Sequence, residues 1–480
     1  MICRRGSSVL GTILSSICAN VNRIISAWYF TEQDQDSNVP GVGLPKDLRL
    51  PHKSINAKDP ASKSTILDGA IQGHVLVKNN RGALPLKSPK ILSVFGYDAT
   101  APDSHVPGDL FSFGFCASPD SIGAALGAFG IDVDYVSPVS QIGSAGTLIV
   151  GGGSGSNSPA YINAPLDALR DQAYADGSHI FWDTFSLTPT IPSSSDACLV
   201  FINAFATEGT DRPGLHDDES DSLIKHVATS CNNTIVVIHN AGVRLVDQFA
   251  NHPNVTAIIF AHLPGQDSGR AIVSLLYGNA SFSGKLPYTV PKNESDYGPL
   301  DSPLLPVDKF VNFPQDDFEE GLYIDYRHFN VRNITPRYEF GFGLTYTTFN
   351  LSDILVSKIT NCKAQAVPNG VIMPGGRVDL WDIIMAVEVK LTNIGGRDGA
   401  EVVQLYVGIP AIGTPARQLR GFEKVDVPFG RTKIVRFSLT RRDLSVWDTT
   451  MQEWILHRGE YQIYVGSSSR DLPLSATITI

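Results

Sequence analysis

ACLVFINA (residues 197–204) is the stretch on which the fold turns. Asn203 is its only polar residue. A strand with one wet face alternates apolar and polar residues; one covered on both faces reads as a continuous apolar run. Similar runs occur at 91–95 (ILSVF), 147–150 (TLIV), 234–239 (TIVVIH) and 255–261 (VTAIIFA). Helix-like stretches lie between them, at 220–229 and at 266–277, the second introduced by Pro264 and Gly265. Strand–helix alternation of this kind predicts a mostly parallel sheet with helices on both faces, an α/β sandwich. It extends over residues 63–290, with 291–350 as a connecting segment that closes it.

The pattern changes after residue 350. In IMAVEVKLTN (384–393), Met385, Val387, Val389 and Leu391 alternate with Ala386, Glu388 and Lys390. EVVQLYVG (401–408), KIVRFSLT (433–440) and GEYQIYVG (459–466) follow, separated by turns bearing Gly and Pro. Period-two runs with little helix signal predict an all-β second domain over 351–480, a β-sandwich of immunoglobulin or fibronectin type. Upstream, Val21, Ile24, Ile25, Trp28 and Tyr29 fall at helical spacing within VNRIISAWYF (21–30). Residues 1–36 are read as an N-terminal segment ending in that helix, and 37–62, rich in Pro, Gly, Asp and Lys, as a linker.

Composition narrows the function. The chain has 480 residues, 42% hydrophobic and 18% charged, with a formal net charge of -10. It is folded rather than disordered. The acidic balance without a basic stripe argues against a nucleic-acid partner. No apolar run reaches the roughly 20 residues needed to cross a bilayer, so no membrane partner is expected. Cys3, Cys18, Cys116, Cys198, Cys231 and Cys362 form no CxxC pair, which disfavours a zinc site; one or two disulfides fit, in no assignable pairing. Arg4 and Arg5 precede a broken apolar run that weakly resembles a signal peptide. Six N-x-S/T sequons, at Asn232, Asn254, Asn279, Asn293, Asn333 and Asn350, lean slightly toward secretion.

In parallel α/β sheets, ligands gather beyond the carboxyl ends of the strands, and two loops there stand out. GGGSGSNSP (151–159) lacks the Lys of a phosphate-binding loop, and Ser156 stands where both GxGxxG and GxSxG need their last Gly. It is either a plain turn or a loop whose small residues let a polar ligand approach the backbone. FATEGTDRPGLHDD (205–218) carries Glu208, Asp211, His216, Asp217 and Asp218. A solvated acidic loop is the simplest account, and the acids lack calcium-loop spacing. Glu208 is singled out because it follows a buried strand and precedes a Gly; partial burial can keep such a carboxyl protonated as a general acid. His239 and His262 end strand-like runs and are read as structural.

Longer strings carry a resemblance. ACLVFINAFATEG, NNTIVVIHNAGVRLVDQF, HPNVTAIIFAHLPGQDSGRAI, LLYGNASFSGKLPYT, PQDDFEEGLYIDYRHF and PRYEFGFGLTYTTF resemble glycoside hydrolase family 3 β-glucosidases of the fungal type. NIGGRDGAEVVQLYVG, RQLRGFEKV, RRDLSVWD and VGSSSRDL resemble the family's fibronectin type III-like module. The resemblance runs from about residue 20 to residue 480. It implies a (β/α)8 barrel, then the α/β sandwich, then the fibronectin-like domain, with the active site between the first two. It also implies hydrolysis of terminal β-D-glucosyl residues from β-glucosides and cello-oligosaccharides by a retaining, two-carboxylate mechanism without a cofactor. Glu208 maps onto the acid/base and Ser154 onto a sugar contact. Thr210 replaces a frequent aromatic and Gly152 a frequent Trp.

VNRIISAWYF resembles the family's last barrel helix, so the nucleophile aspartate is expected to have no counterpart in these 480 residues. The isolated chain is then expected to hydrolyse aryl-β-glucosides negligibly, and to self-associate through the surface a barrel would cover. The resemblance implies a secreted glycoprotein with a β-glucoside or oligosaccharide as its partner. A β-xylosidase or exo-β-glucanase of the same family, or a non-catalytic carbohydrate-binding remnant, are the competing expectations.

Overall fold

The computed structural model describes residues 9–35, 51, 58–102, 142–143, 146–152, 161–206, 212–301, 318–359 and 365–480. The chain divides at Ser62/Lys63 into two compact units. In the first, one helix runs Val9–Phe30. It begins well before the helix expected from residue 21, because the leader-like residues that precede it continue the same helix. Ile24, Tyr29 and Phe30 on it are exposed. Among the described residues no helix is long and apolar enough to cross a membrane.

The second unit opens with a helix, Ser62–Gly73, and then a six-stranded sheet. Its strands are β1 (Val75–Asn79), β2 (Ile91–Phe95), β3 (His179–Asp183), β4 (Ala197–Ala204), β5 (Thr234–Asn240) and β6 (Val255–Phe260), in the order β1-β6-β5-β4-β2-β3. All pairings are parallel except β1 with β6. Every residue of β4, β5 and β6 is buried. The two-residue pleat splits those side chains between two layers. Leu199, Phe201, Ile235, Val237 and Ile259 meet Leu166 and Leu169 of the helix Pro165–Asp176 and Ile272 and Leu275 of the helix Ser268–Leu276. Val200, Ile202, Val236, Ile238 and Ile258 meet Leu223, Ile224 and Val227 of the helix Asp218–Ser230. Each such side chain contributes about 1.5–3 kcal/mol by burial, which is why these runs resist any other placement. In the second layer Cys198 and Cys231 form a disulfide.

The helix boundaries are written locally. Pro165 occupies the first turn of its helix, where no N–H is missed, and Gly177 (φ 68°) ends it in the left-handed conformation. The Asp217 carboxylate accepts Ser220 N–H at 2.7 Å and caps the next helix, with Asp218, Glu219 and Asp221 in its first turn.

One expected strand is absent. Residues 147–150 are mostly buried, yet they form no ladder. β2 already has β4 and β3 on its two sides. Thr147 N–H therefore donates to Thr100 O (2.7 Å) and Leu148 N–H to Asp98 Oδ1 (2.7 Å). β1 and β3 lie at the two ends of the sheet and were not evident in the sequence; β3 alternates poorly and exposes Phe181 and Trp182.

The all-β part pairs β7 (Phe349–Lys358), β10 (Ile383–Asn393) and β13 (Thr432–Thr440) in one antiparallel sheet. β11 (Gly399–Gly408), β12 (Gln418–Val427), β16 (Glu460–Gly466) and β17 (Leu474–Thr479) form the other. Two small hairpins complete it, β8 (Ile372–Met373) with β9 (Gly376–Arg377) and β14 (Ser445–Asp448) with β15 (Glu453–Leu456). Met385, Val387, Val389 and Leu391 point into the core with Leu405, Val407, Phe437, Tyr461 and Ile463, as period two requires. An α/β sandwich followed by a fibronectin type III-like β-sandwich is the architecture. The two meet at a polar seam: Lys285 Nζ pairs with Glu401 Oε1 at 2.6 Å, and Gln404 Nε2 donates to Gly341 O at 3.0 Å.

Candidate active site

The carboxyl ends of β2, β4, β5 and β6 share one edge of the sheet, and the segments leaving them are stitched together. The chain leaves β4 through Phe205 and Ala206. Ala206 O accepts the N–H of Gly152 at 3.0 Å. The stems of the Gly-rich loop and the acidic loop, distant in sequence, are thus bonded side by side. Glu208 (in 207–211, with Asp211) and Ser154 (in 153–160) themselves lie outside the described residues.

A third segment holds the Gly-rich stems. Gly265 N–H donates to Ile149 O (3.1 Å) before the loop; Asn163 N–H donates to Gln266 O (2.9 Å) and Gly269 N–H to Asn163 O (2.7 Å) after it. This approach is too close for a side chain, since a Cβ on Gly269 would stand 2.2 Å from Ala164 O. Tyr161 OH and Arg270 Nη1 both donate to Asp267 Oδ1 at 2.6 Å. Residues 265–270 therefore anchor both sides of the loop.

Beneath the stems lies a fully buried polar chain. Asp98 follows β2, His239 sits on β5 and Ser268 begins its helix; none has measurable exposure. His239 Nδ1 pairs with Asp98 Oδ2, and Ser268 Oγ lies 3.0 Å from His239 Nε2. The connectivity is that of a hydrolytic triad, but no substrate reaches an unexposed hydroxyl, so Ser268 is no nucleophile. Burial pushes the Asp98 carboxyl above the ordinary carboxylate range, against the pull of His239, Asn203 and the Leu148 N–H. Asn203 on β4 donates to Asp98 Oδ1 (2.9 Å) and brackets Gly143, accepting its N–H (2.8 Å) and donating to its carbonyl (2.9 Å).

The two histidines are structural, as expected. His262 (φ 54°) has Nδ1 2.9 Å from Gly73 O and Nε2 2.8 Å from Tyr288 OH. Burial lowers its pKa, so the neutral ring donates to the carbonyl and accepts from the phenol, which in turn accepts from Asn240 Nδ2 (2.7 Å). The acidic loop is not simply solvated. Asp217 caps a helix and lies 3.2 Å from the Arg244 guanidinium, which is buried and also holds Asp221 at 2.6 Å. Arg244 holds both carboxylates away from solvent, whereas Asp218 remains exposed near half-buried His216 (3.7 Å). Among the described residues no group of three His, Cys, Asp or Glu side chains is arranged to hold a metal ion.

Sequence reasoning missed Asp98, Asn203, Ser268, Tyr161 and Asp267. The signal for Asp98 was present: it stands three residues after an apolar run, as Glu208 stands four after another.

Residues 74–346 match the glycosyl hydrolase family 3 C-terminal domain, and residues 401–469 a fibronectin type III-like domain. The chain is 53% identical over 459 residues to a protein of Aspergillus flavus named probable beta-glucosidase M, covering 95% of this chain and 56% of that protein. It is 51% identical over 460 residues to a beta-glucosidase of Pyricularia oryzae, covering 95% and 58%. Among solved structures, the beta-D-glucoside glucohydrolase of Trichoderma reesei superposes with a TM-score of 0.75 at 35% identity, over 96% of this chain and 60% of that one. A beta-glucosidase from Chaetomella raphigera gives 0.78 at 33%, over 98% and 63%. The chain spans little more than half the length of the curated relatives it matches.

Proposed function

The chain belongs to glycosyl hydrolase family 3, and from that premise we propose that it supplies the acid/base half of a retaining β-glucosidase. The observation that carries this reading is the 53% identity over 459 residues to a protein named as a β-glucosidase. The substrates are β-glucosides and cello-oligosaccharides, which lose their terminal β-D-glucosyl residue. Glu208 donates a proton to the leaving glycosidic oxygen and then withdraws one from the water that releases the sugar. Ser154 contacts the sugar from the Gly-rich loop. The retaining mechanism also needs a second carboxylate as nucleophile; the chain spans 56% of the Aspergillus flavus relative, and these residues alone are expected to turn over aryl-β-glucosides negligibly. The bonded stems, Gly152 to Ala206, support this assignment, because one sugar ring must meet both loops.

Secretion is part of the proposal. The Cys198–Cys231 disulfide is at home in an oxidising compartment, and five of the six sequon asparagines are exposed, Asn254 alone being half-buried. Exposed Ile24, Tyr29 and Phe30 on the helix Val9–Phe30 support self-association; a monomeric mass across the micromolar range in sedimentation would exclude it.

The test of function is complementation. The chain is co-expressed with the N-terminal portion of the Aspergillus flavus relative and assayed on an aryl-β-glucoside. We expect turnover that Glu208→Gln lowers by about 10²–10⁴-fold, with azide restoring release of an activated aglycone. Turnover indifferent to Glu208→Gln, or full activity of the 480 residues alone, would overturn the assignment.

A further inference from the structure

Asp98, Asn203, His239 and Ser268 come from four segments, and none is exposed. Polar groups so placed are costly unless each is paired, and apolar side chains of similar size would fill the space at less risk. Their bonds converge on the stems. Asp98 Oδ1 holds Leu148 N–H at 2.7 Å. Asn203 holds Gly143 from both its N–H and its carbonyl, and it lies three residues before Ala206, the acceptor for Gly152. One amide side chain thus grips the stem before the Gly-rich loop while standing at the root of the acidic loop. From the far side, Ser268 Oγ reaches His239 Nε2 (3.0 Å), next to Gly269 and Gly265, which bond the same loop's two stems. The 147–150 run has no ladder to fix its register, so these side chains do what a neighbouring strand otherwise would.

We propose that Asp98, Asn203, His239 and Ser268 are positioning residues that lock the register of the Gly-rich stem against the β4 exit. They act through those stems, not on substrate. The proposal rests on the roles given above to Ser154 and Glu208, but its primary test needs no turnover, so failure of either is seen separately.

The test is hydrogen–deuterium exchange on the full 480-residue chain and on three variants. His239→Asn keeps a donor where Nδ1 meets Asp98; His239→Gln keeps a polar group where Nε2 meets Ser268 and abandons Asp98; Ser268→Ala removes only the outermost bond. We expect peptides covering 142–152 and 199–206 to exchange at least tenfold faster in His239→Gln and about threefold faster in Ser268→Ala. In His239→Asn they should stay within threefold of wild type, and β10 and β13 should be unchanged throughout. If His239→Gln does not fold, Ser268→Ala decides by the same peptides. Unchanged stems, or equal acceleration in the stems and in β10 and β13, would overturn the proposal. In the complemented enzyme, His239→Gln should lower kcat at least tenfold with KM within twofold, and His239→Asn should restore kcat; equal kcat in both would also overturn it.

Discussion

The α/β sandwich and the β-sandwich differ most in where they keep their buried polar groups. In the first, Asp98, Asn203, His239 and Asn240 crowd the carboxyl ends of β2, β4 and β5. In the second, the core around Val387, Leu405 and Ile463 is apolar, and polar residues such as Glu401 and Gln404 sit at its seam with the other domain. Parallel strands deliver their carboxyl ends to one edge, where backbone and side-chain dipoles can be gathered into a site. Antiparallel strands alternate their ends, so no edge accumulates them. The lesson is that chemistry concentrates in this chain where topology aligns strand ends, and the β-sandwich serves as a packed neighbour.

The sharpest way to break that contrast is at Arg244. Arg244→Ala leaves Asp221 buried without its partner, and about 3–5 kcal/mol of stability should be lost in urea unfolding. Next comes the disulfide: Cys198→Ala with Cys231→Ala opens a loop with sequence separation 33, and we expect a loss of about 2–4 kcal/mol. The third is a pH effect confined to the α/β part. His74 is buried, its Nδ1 lies 2.6 Å from Ala70 O, and burial drives its pKa down to about 3. The unfolded chain takes up this proton near pH 6.5 and the folded chain does not, so stability is lost as pH falls from about 6.5 toward 3, by about 1.4 kcal/mol per unit. His74→Asn, which keeps a donor for Ala70, should flatten that slope in unfolding measured at several pH values. The smallest effect belongs to the β-sandwich surface. Arg436→Ala removes an exposed pair with Glu388 (2.7 Å) and should shift stability by less than about 1 kcal/mol.

What the sequence disclosed follows the same divide. β4, β5 and β6 were legible because burial on both faces leaves continuous apolar runs, and β10, β13 and β16 because a wetter face leaves alternation; β11 is buried along nearly its whole length, with Glu401 and Gln404 turned to the seam. The run 147–150 looked like a strand and is not one, since apolar content reports burial, and Asp98 and Thr100 take its amides. β3 escaped notice because an edge strand need not exclude Trp182 from water. For the candidate site, Glu208 was picked out by its place after a buried strand and before a Gly, while its role and Ser154 came from the family resemblance; both lie outside the described residues. The chain from Asp98 through His239 to Ser268 spans sequence separations of 141 and 29. No local pattern announces a contact that only the assembled sheet creates.

β1 pairs with β6 in an antiparallel register, Val75 opposite Phe260. About 185 residues of synthesis separate the two partners, and at ribosomal speeds of roughly 5–20 residues per second the wait is on the order of ten to forty seconds. Throughout it the apolar face of β1 has no strand to join, while β4 meets β5 only a few dozen residues after emerging. In chain order β2 meets β3 first and β4, β5 and β6 then add in turn, so during translation the sheet grows from its β3 edge toward β6. Its first-made strand is the last to be zipped in, and a nascent chain stalled before β6 presents Val75 and Val77 to whatever chaperone attends the ribosome exit.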